Sequence, residues 1–105
     1  MTTTTIAGHE VDVNDEGFLT NPGQWSEELA PELAKLIGID PLTEEHWALI
    51  RFLRDDYTAQ GETATLRRVS TSTGTPVKAL FGLFPGKPAK KMSYVSGLPK
   101  PKGCV

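Results

Sequence analysis

The sequence predicts a mainly helical α+β domain, a small helical body with a β-hairpin at its N-terminus. Three observations carry this. Residues 44–60 place apolar side chains at helical spacing between a capping Thr43 and Gly61. Residues 63–84 read as helix, short glycine-containing turn, helix, the helix-turn-helix outline. Ahead of both, Glu10-Val11-Asp12-Val13 alternates polar and apolar as a half-buried strand does.

Taken in order, Thr2–Thr5 reads as a frayed polar start and Ile6-Ala7-Gly8-His9 as a tight turn. The strand Glu10–Val13 runs into the turn Asn14-Asp15-Glu16-Gly17, after which Phe18-Leu19-Thr20 is expected to pair back. Asn21-Pro22 opens a helical turn. Ser26, followed by Glu27 and Glu28, reads as a helix start that places anions at the positive end. Leu29, Leu33, Leu36 and Ile37 keep the spacing and Gly38 stops it, with Pro31 forcing an irregular beginning. Thr43 then caps a long helix over Glu44–Gln60, with His46, Ile50, Leu53 and Tyr57 on one stripe. Thr63 is the expected cap of a helix over Ala64–Thr71, broken at Ser72-Thr73-Gly74. Thr75-Pro76 restarts a helix with Val77, Leu80, Phe81 and Phe84 inward. Pro88 opens a last helix that ends at Gly97, and the tail Leu98–Val105 is rich in proline and lysine.

The chain has 105 residues, 38% hydrophobic and 23% charged, which allows one domain that buries roughly 60–65% of its unfolded surface. One cysteine excludes an internal disulfide. No window approaches a membrane span and no secretory segment follows the polar start, so the cytoplasm is the expected location. Nothing demands an oligomer, and a monomer is expected. The formal net charge of −2 conceals a split. The first 62 residues hold all thirteen acids and three bases, a net −10; the rest hold eight bases and no acid, a net +8. The basic half is expected to meet something anionic: nucleic acid, an acidic partner, or the chain's own first half.

The only thiol, Cys104, follows Gly103 at the end of the tail. The eight residues from Leu98 reach roughly 26–29 Å when extended. Pro99 and Pro101 favour an extended form, and Gly103 leaves the thiol's approach clear. Lys100 and Lys102 favour the thiolate, while the terminal carboxylate opposes it. Two readings stand level on these grounds: a thiol presented to another protein's active site, and a frayed tail with an incidental cysteine. Asp55-Asp56 reads as a solvated face, and Trp25, Trp47, Phe52 and Tyr57 as core rather than a base-stacking platform. His46 reads as a core or surface residue that can cap a carbonyl, and His9 as solvated. Two histidines and one distant cysteine make no zinc spacing, so no metal and no cofactor is expected. Arg67, Arg68 and Lys78 on the helix-turn-helix outline permit nucleic-acid contact, though Pro76–Phe84 offers only Lys78 as a polar base reader.

The segment Leu83-Phe84-Pro85-Gly86-Lys87-Pro88-Ala89-Lys90 and the ending Gly97-Leu98-Pro99-Lys100-Pro101-Lys102-Gly103-Cys104-Val105 resemble the DsrC/TusE family. That family comprises the gamma-subunit proteins of dissimilatory sulfite reductase and the sulfur-relay proteins of tRNA thiolation. Gln24-Trp25-Ser26, Leu42–Trp47, Arg51–Asp55 and Glu16-Gly17-Phe18-Leu19 are similar too, so the resemblance spans nearly the whole chain. It implies a DsrC/TusE-like domain over residues 1–97 and a mobile arm over 98–105. It further implies that Cys104 carries sulfur as a persulfide between donor and acceptor proteins, a sulfurtransferase-type carrier without independent catalysis. One departure matters. Two-cysteine members carry a second cysteine eleven residues before the penultimate one, and that position is Ser93 here. A hydroxyl cannot join an intramolecular disulfide or trisulfide, so the single-cysteine relay is the better fit. The alternatives are a DNA-binding regulator and a non-turnover partner of a sulfite reductase-type complex.

Overall fold

The computed structural model describes residues 2–100. Strands β1 (Thr2–Ile6) and β2 (His9–Val13) form an antiparallel hairpin. A 3-10 turn (Pro22–Gln24) follows, then helices α1 (Leu29–Leu36), α2 (Glu44–Gln60), α3 (Leu66–Thr73), α4 (Val77–Leu83) and α5 (Pro88–Val95). α5 touches α1, α2 and α4 and lies at the centre of the body.

The hairpin is present, but its first strand is the segment read as a frayed start. Thr2 pairs with Val13 and Ile6 with His9. Ala7 and Gly8 both take positive φ, 52° and 80°, as a two-residue turn of this hand requires. β-branched threonines favour the strand although they carry no hydrophobic alternation. Phe18–Thr20 forms no full strand: it contributes a bridge from Leu19 to Val13, a hydrogen bond from the Thr20 amide to the Asp12 carbonyl, and one from the Asn14 amide to the Phe18 carbonyl.

α1 begins at Leu29, three residues after the expected start at Ser26. Proline cannot donate to a carbonyl four residues back, so the helix starts where Pro31 falls in its first turn. α2 matches its expected bounds. Thr43 accepts from the His46 amide, and Gly61 ends the helix at φ 76°. His46 Nδ1 accepts from the Thr43 amide at 3.0 Å and Nε2 donates to the Leu83 carbonyl at 2.8 Å, tying α2 to the end of α4. α3 is capped by Thr65 rather than Thr63 and runs two residues later than expected. α4 buries Leu80, and Phe84 just past its end is buried too, but Val77 and Phe81, expected inward, are 41% and 43% exposed. Only one side of this short helix meets α3 and α5, and Val77 and Phe81 lie outside that side.

The larger core is helical, built around Ile50, Leu53, Val69, Leu80, Phe84, Met92, Val95 and Leu98. A smaller one joins the hairpin to α1 through Val11, Val13, Leu19, Leu29 and Leu33. Trp25 and Tyr94 pack against both. No helix among the described residues is long and apolar enough to cross a membrane.

Candidate functional site

Pro101, Lys102, Gly103 and Cys104 lie outside the described residues. What is described is the seat from which they depart. α5 closes with the Leu98 amide on the Ser93 carbonyl at 3.0 Å and the Gly97 amide on the Tyr94 carbonyl at 3.2 Å, with Gly97 at φ 69°. This is a Schellman closure, and it drives Leu98 into the core, 1% exposed. The last-turn carbonyls that the helix leaves open are taken from outside. Trp25 Nε1 donates to Val95 at 2.8 Å and Arg54 Nη1 to Ser96 at 2.7 Å. The Arg54 guanidinium also reaches the Pro22 carbonyl at 3.0 Å and stands 4.3 Å over the Trp25 ring. Burial draws the Arg54 pKa below its ordinary value, and the negative pole of α5 favours a cation here. Thr63, the expected helix cap, instead donates to the Pro99 carbonyl at 2.8 Å.

Lys100 is held last. Its ammonium meets Glu16 at 3.1 Å, and Lys90 approaches the other carboxylate oxygen at 3.8 Å. The turn Asn14–Gly17 presents Glu16, because Asn14 Oδ1 accepts from the Glu16 and Phe18 amides and Gly17 takes φ 89°. The Lys100 hydrogen bond pulls the Glu16 carboxyl below its ordinary value of 4.5. A lowered carboxyl pKa means that the contact is complete above the ordinary value and is lost as pH falls through the folded one. Acidification below 4.5 is therefore expected to release Lys100 from Glu16. Carboxyl NMR titration of Glu16 checks this: in Lys100→Gln the lowered pKa moves up toward the ordinary one, Lys90 still drawing on the carboxylate.

Ser93 is fully buried on α5, and its hydroxyl donates to the Ala89 carbonyl at 2.8 Å. Ser93→Cys is expected to fold, since a thiol fits nearly the same space. Its thiol should react with a disulfide reagent at least about a hundredfold more slowly than a solvated one, because access needs local opening. Kinetics in a Cys104→Ser background read this directly.

The third set of predicted residues does not come together as one surface. Arg68 is consumed by Asp56, with Nη2 to Oδ1 at 2.7 Å and Nε to both oxygens. Asp56, expected on a solvated face, is 7% exposed beneath α3. Arg67 and Lys78 stay exposed. His9, expected solvated in a turn, opens β2 and meets Glu28 at 3.2 Å. Sequence reasoning missed Glu16, Arg54 and Thr63 as the residues that seat the tail. Their partners lie 36 to 84 residues away, and no periodicity reports such pairs.

Residues 5–105 match the family model described as DsrC like protein, so the match includes the tail. The chain is 34% identical to the gamma subunit of dissimilatory-type sulfite reductase from Nitratidesulfovibrio vulgaris over the whole of both chains. It is 35% identical to sulfurtransferase TusE of Escherichia coli K12 over 93% of this chain and 95% of that one. Among solved structures, the crystal structure of dissimilatory sulfite reductase I superposes with a TM-score of 0.88 at 35% identity, covering 99% of this chain and all of the other. With the family model matched over residues 5–105, relatives above 30% identity along nearly the whole chain, and the fold in agreement, the chain belongs to the DsrC family.

Proposed function

We propose that the chain is a cytoplasmic sulfur carrier that takes sulfane sulfur onto Cys104 and passes it to a partner protein. The observation that carries this is a family match that runs through Cys104, the sequence's single thiol, in a family whose relatives include a sulfurtransferase and a sulfite reductase subunit. In the step itself, the Cys104 thiolate attacks the outer sulfur of a donor persulfide. The donor's S–S bond breaks, its own sulfur leaves as thiolate with the bonding pair, and Cys104 becomes the persulfide. The transfer is redox-neutral and reverses toward an acceptor thiolate.

Gly103 gives the thiol clearance, and Lys102, together with Lys100 when it leaves Glu16, steers the arm toward an anionic cleft. Of the arm expected over residues 98–105, Leu98 is buried in the core and Pro99 and Lys100 contact Thr63 and Glu16, while residues 101–105 lie outside the described residues. Ser93 in the second-cysteine position favours a one-cysteine relay over an internal disulfide cycle. The nucleic-acid reading loses Arg68 to Asp56 and keeps only Arg67 and Lys78. Incubation with a persulfide donor followed by intact mass tests the carrier reading. One added sulfur atom, removed by reductant, is expected; no adduct refutes it.

A further inference from the structure

Beside the root of the tail lies an open cleft of about 760 Å³. Phe18, Ile37 and Tyr94 give it apolar surface, and Lys87, Lys90 and Lys91 give it three amines. Phe18 is buried and packs edge-on against Tyr94, ring centroids 5.7 Å apart, so the apolar part is fixed in shape. Glu16 also lines the cleft and holds Lys100, which places the cleft directly against the arm's anchor. Among the described residues, the only carboxylate in the lining is Glu16. Two cations, Lys90 and Lys100, already share it. Lys87 and Lys91 make no ion pair among the described residues.

We propose that this cleft is the docking groove for an acidic segment of a sulfur-exchanging partner protein, a segment that carries an apolar anchor. The inference rests on the carrier reading for the identity of the partner, and on charge and shape for the rest. Uncompensated amines around a concave surface attract carboxylates and speed encounter. A fixed aromatic and aliphatic wall rewards an apolar side chain, and an interface takes most of its energy from such a buried anchor. A phosphate backbone uses the amines but leaves the Phe18–Ile37–Tyr94 surface unmatched, so the pairing favours an acidic peptide over nucleic acid. Docking here would hold the partner next to the anchor of the arm that bears Cys104. The α4 face, with Phe81 and Val77 exposed, carries only Lys78 and lacks that charge.

The test uses the full isotope-labelled chain and a short synthetic peptide of glutamates flanking one phenylalanine. Amide shifts are expected at Phe18, Lys87, Lys90, Lys91 and Tyr94, and binding should weaken as salt rises. Lys87→Glu with Lys91→Glu should weaken binding at least about tenfold, and the corresponding Gln pair by less. Shifts centred on Val77–Phe81, no binding at low salt, or unchanged affinity in the Glu pair overturns the proposal. So does an RNA oligonucleotide that perturbs the cleft more tightly than the peptide. Sulfur uptake by Cys104 from a small-molecule persulfide is measured in parallel. Uptake without peptide binding refutes the groove alone; peptide binding without uptake refutes the carrier reading alone.

Discussion

Cys104→Ser is expected to abolish sulfur uptake completely, with no residual adduct in the intact mass. The sequence holds no second thiol to take over the role. A serine hydroxyl ionises far above neutral pH and forms no persulfide, so the loss is a change of chemistry rather than of rate. The wild-type reaction should rise about tenfold per pH unit until the thiol titrates, near 8.5 for an unperturbed cysteine. In the proposed carrier, Lys100 and Lys102 would favour the thiolate and the terminal carboxylate would oppose it. Neutralising both lysines should move the midpoint upward. A thermal melt of the serine variant separates lost chemistry from lost fold, because the midpoint should not move. An adduct that persists in Cys104→Ser would place the sulfur elsewhere and end the carrier reading.

The helical body was legible wherever a cap and an apolar period agreed. Thr43, Glu44, Glu45 and Gly61 bracket α2 at both ends, and its bounds follow from residues adjacent in sequence. The hairpin was half legible. Val11 and Val13 alternate, so β2 could be read, but its partner is a run of threonines whose strand preference comes from β-branching alone. Thr63 and Thr65 show how a local signal becomes ambiguous. Either hydroxyl can cap, and the choice was made by the Pro99 carbonyl, 36 residues away. α4 departs from the expected inward face because a seven-residue helix with five apolar residues cannot bury all of them when neighbours cover one side.

The site divides in the same way. The ending of the chain is a local pattern, and its likeness to one family was visible from the letters. The seat of that ending is built by pairs with no sequence signature, Glu16 with Lys100 and Arg54 with Ser96. The charge split gained a physical meaning from these pairs. Part of the basic half is neutralised by the acidic half, at Asp56–Arg68 and at Glu16 with Lys90 and Lys100. Among the described residues, two of the lysines left over, Lys87 and Lys91, line one cleft beside the Glu16–Lys100 pair, while Lys78 stays on α4.

Gly97→Ala is expected to destabilise the fold by about 3 kcal/mol, two causes acting on one atom. The first is backbone strain: φ is 69°, a conformation that alanine adopts at a cost of about 1 kcal/mol. The second is collision, since a Cβ here would stand 2.6 Å from both Cβ and Cγ of Trp25. The indole must then move, and its movement breaks the hydrogen bond to Val95 and the Arg54 stack together. At this chain length the loss corresponds to a Tm lower by roughly 12–24 °C. Gly74→Ala is the control: φ is 72°, yet nothing lies within 4 Å of the added atom. It should cost about 1 kcal/mol, from strain alone. The difference between the two variants isolates the Trp25 contact. Equal losses would mean that Trp25 gives way freely and does not hold the junction between α5 and the arm. If the collision dominates, hydrogen exchange at Leu98 should rise more than at Val69, because the Leu98 amide closes the helix one residue beyond the substitution.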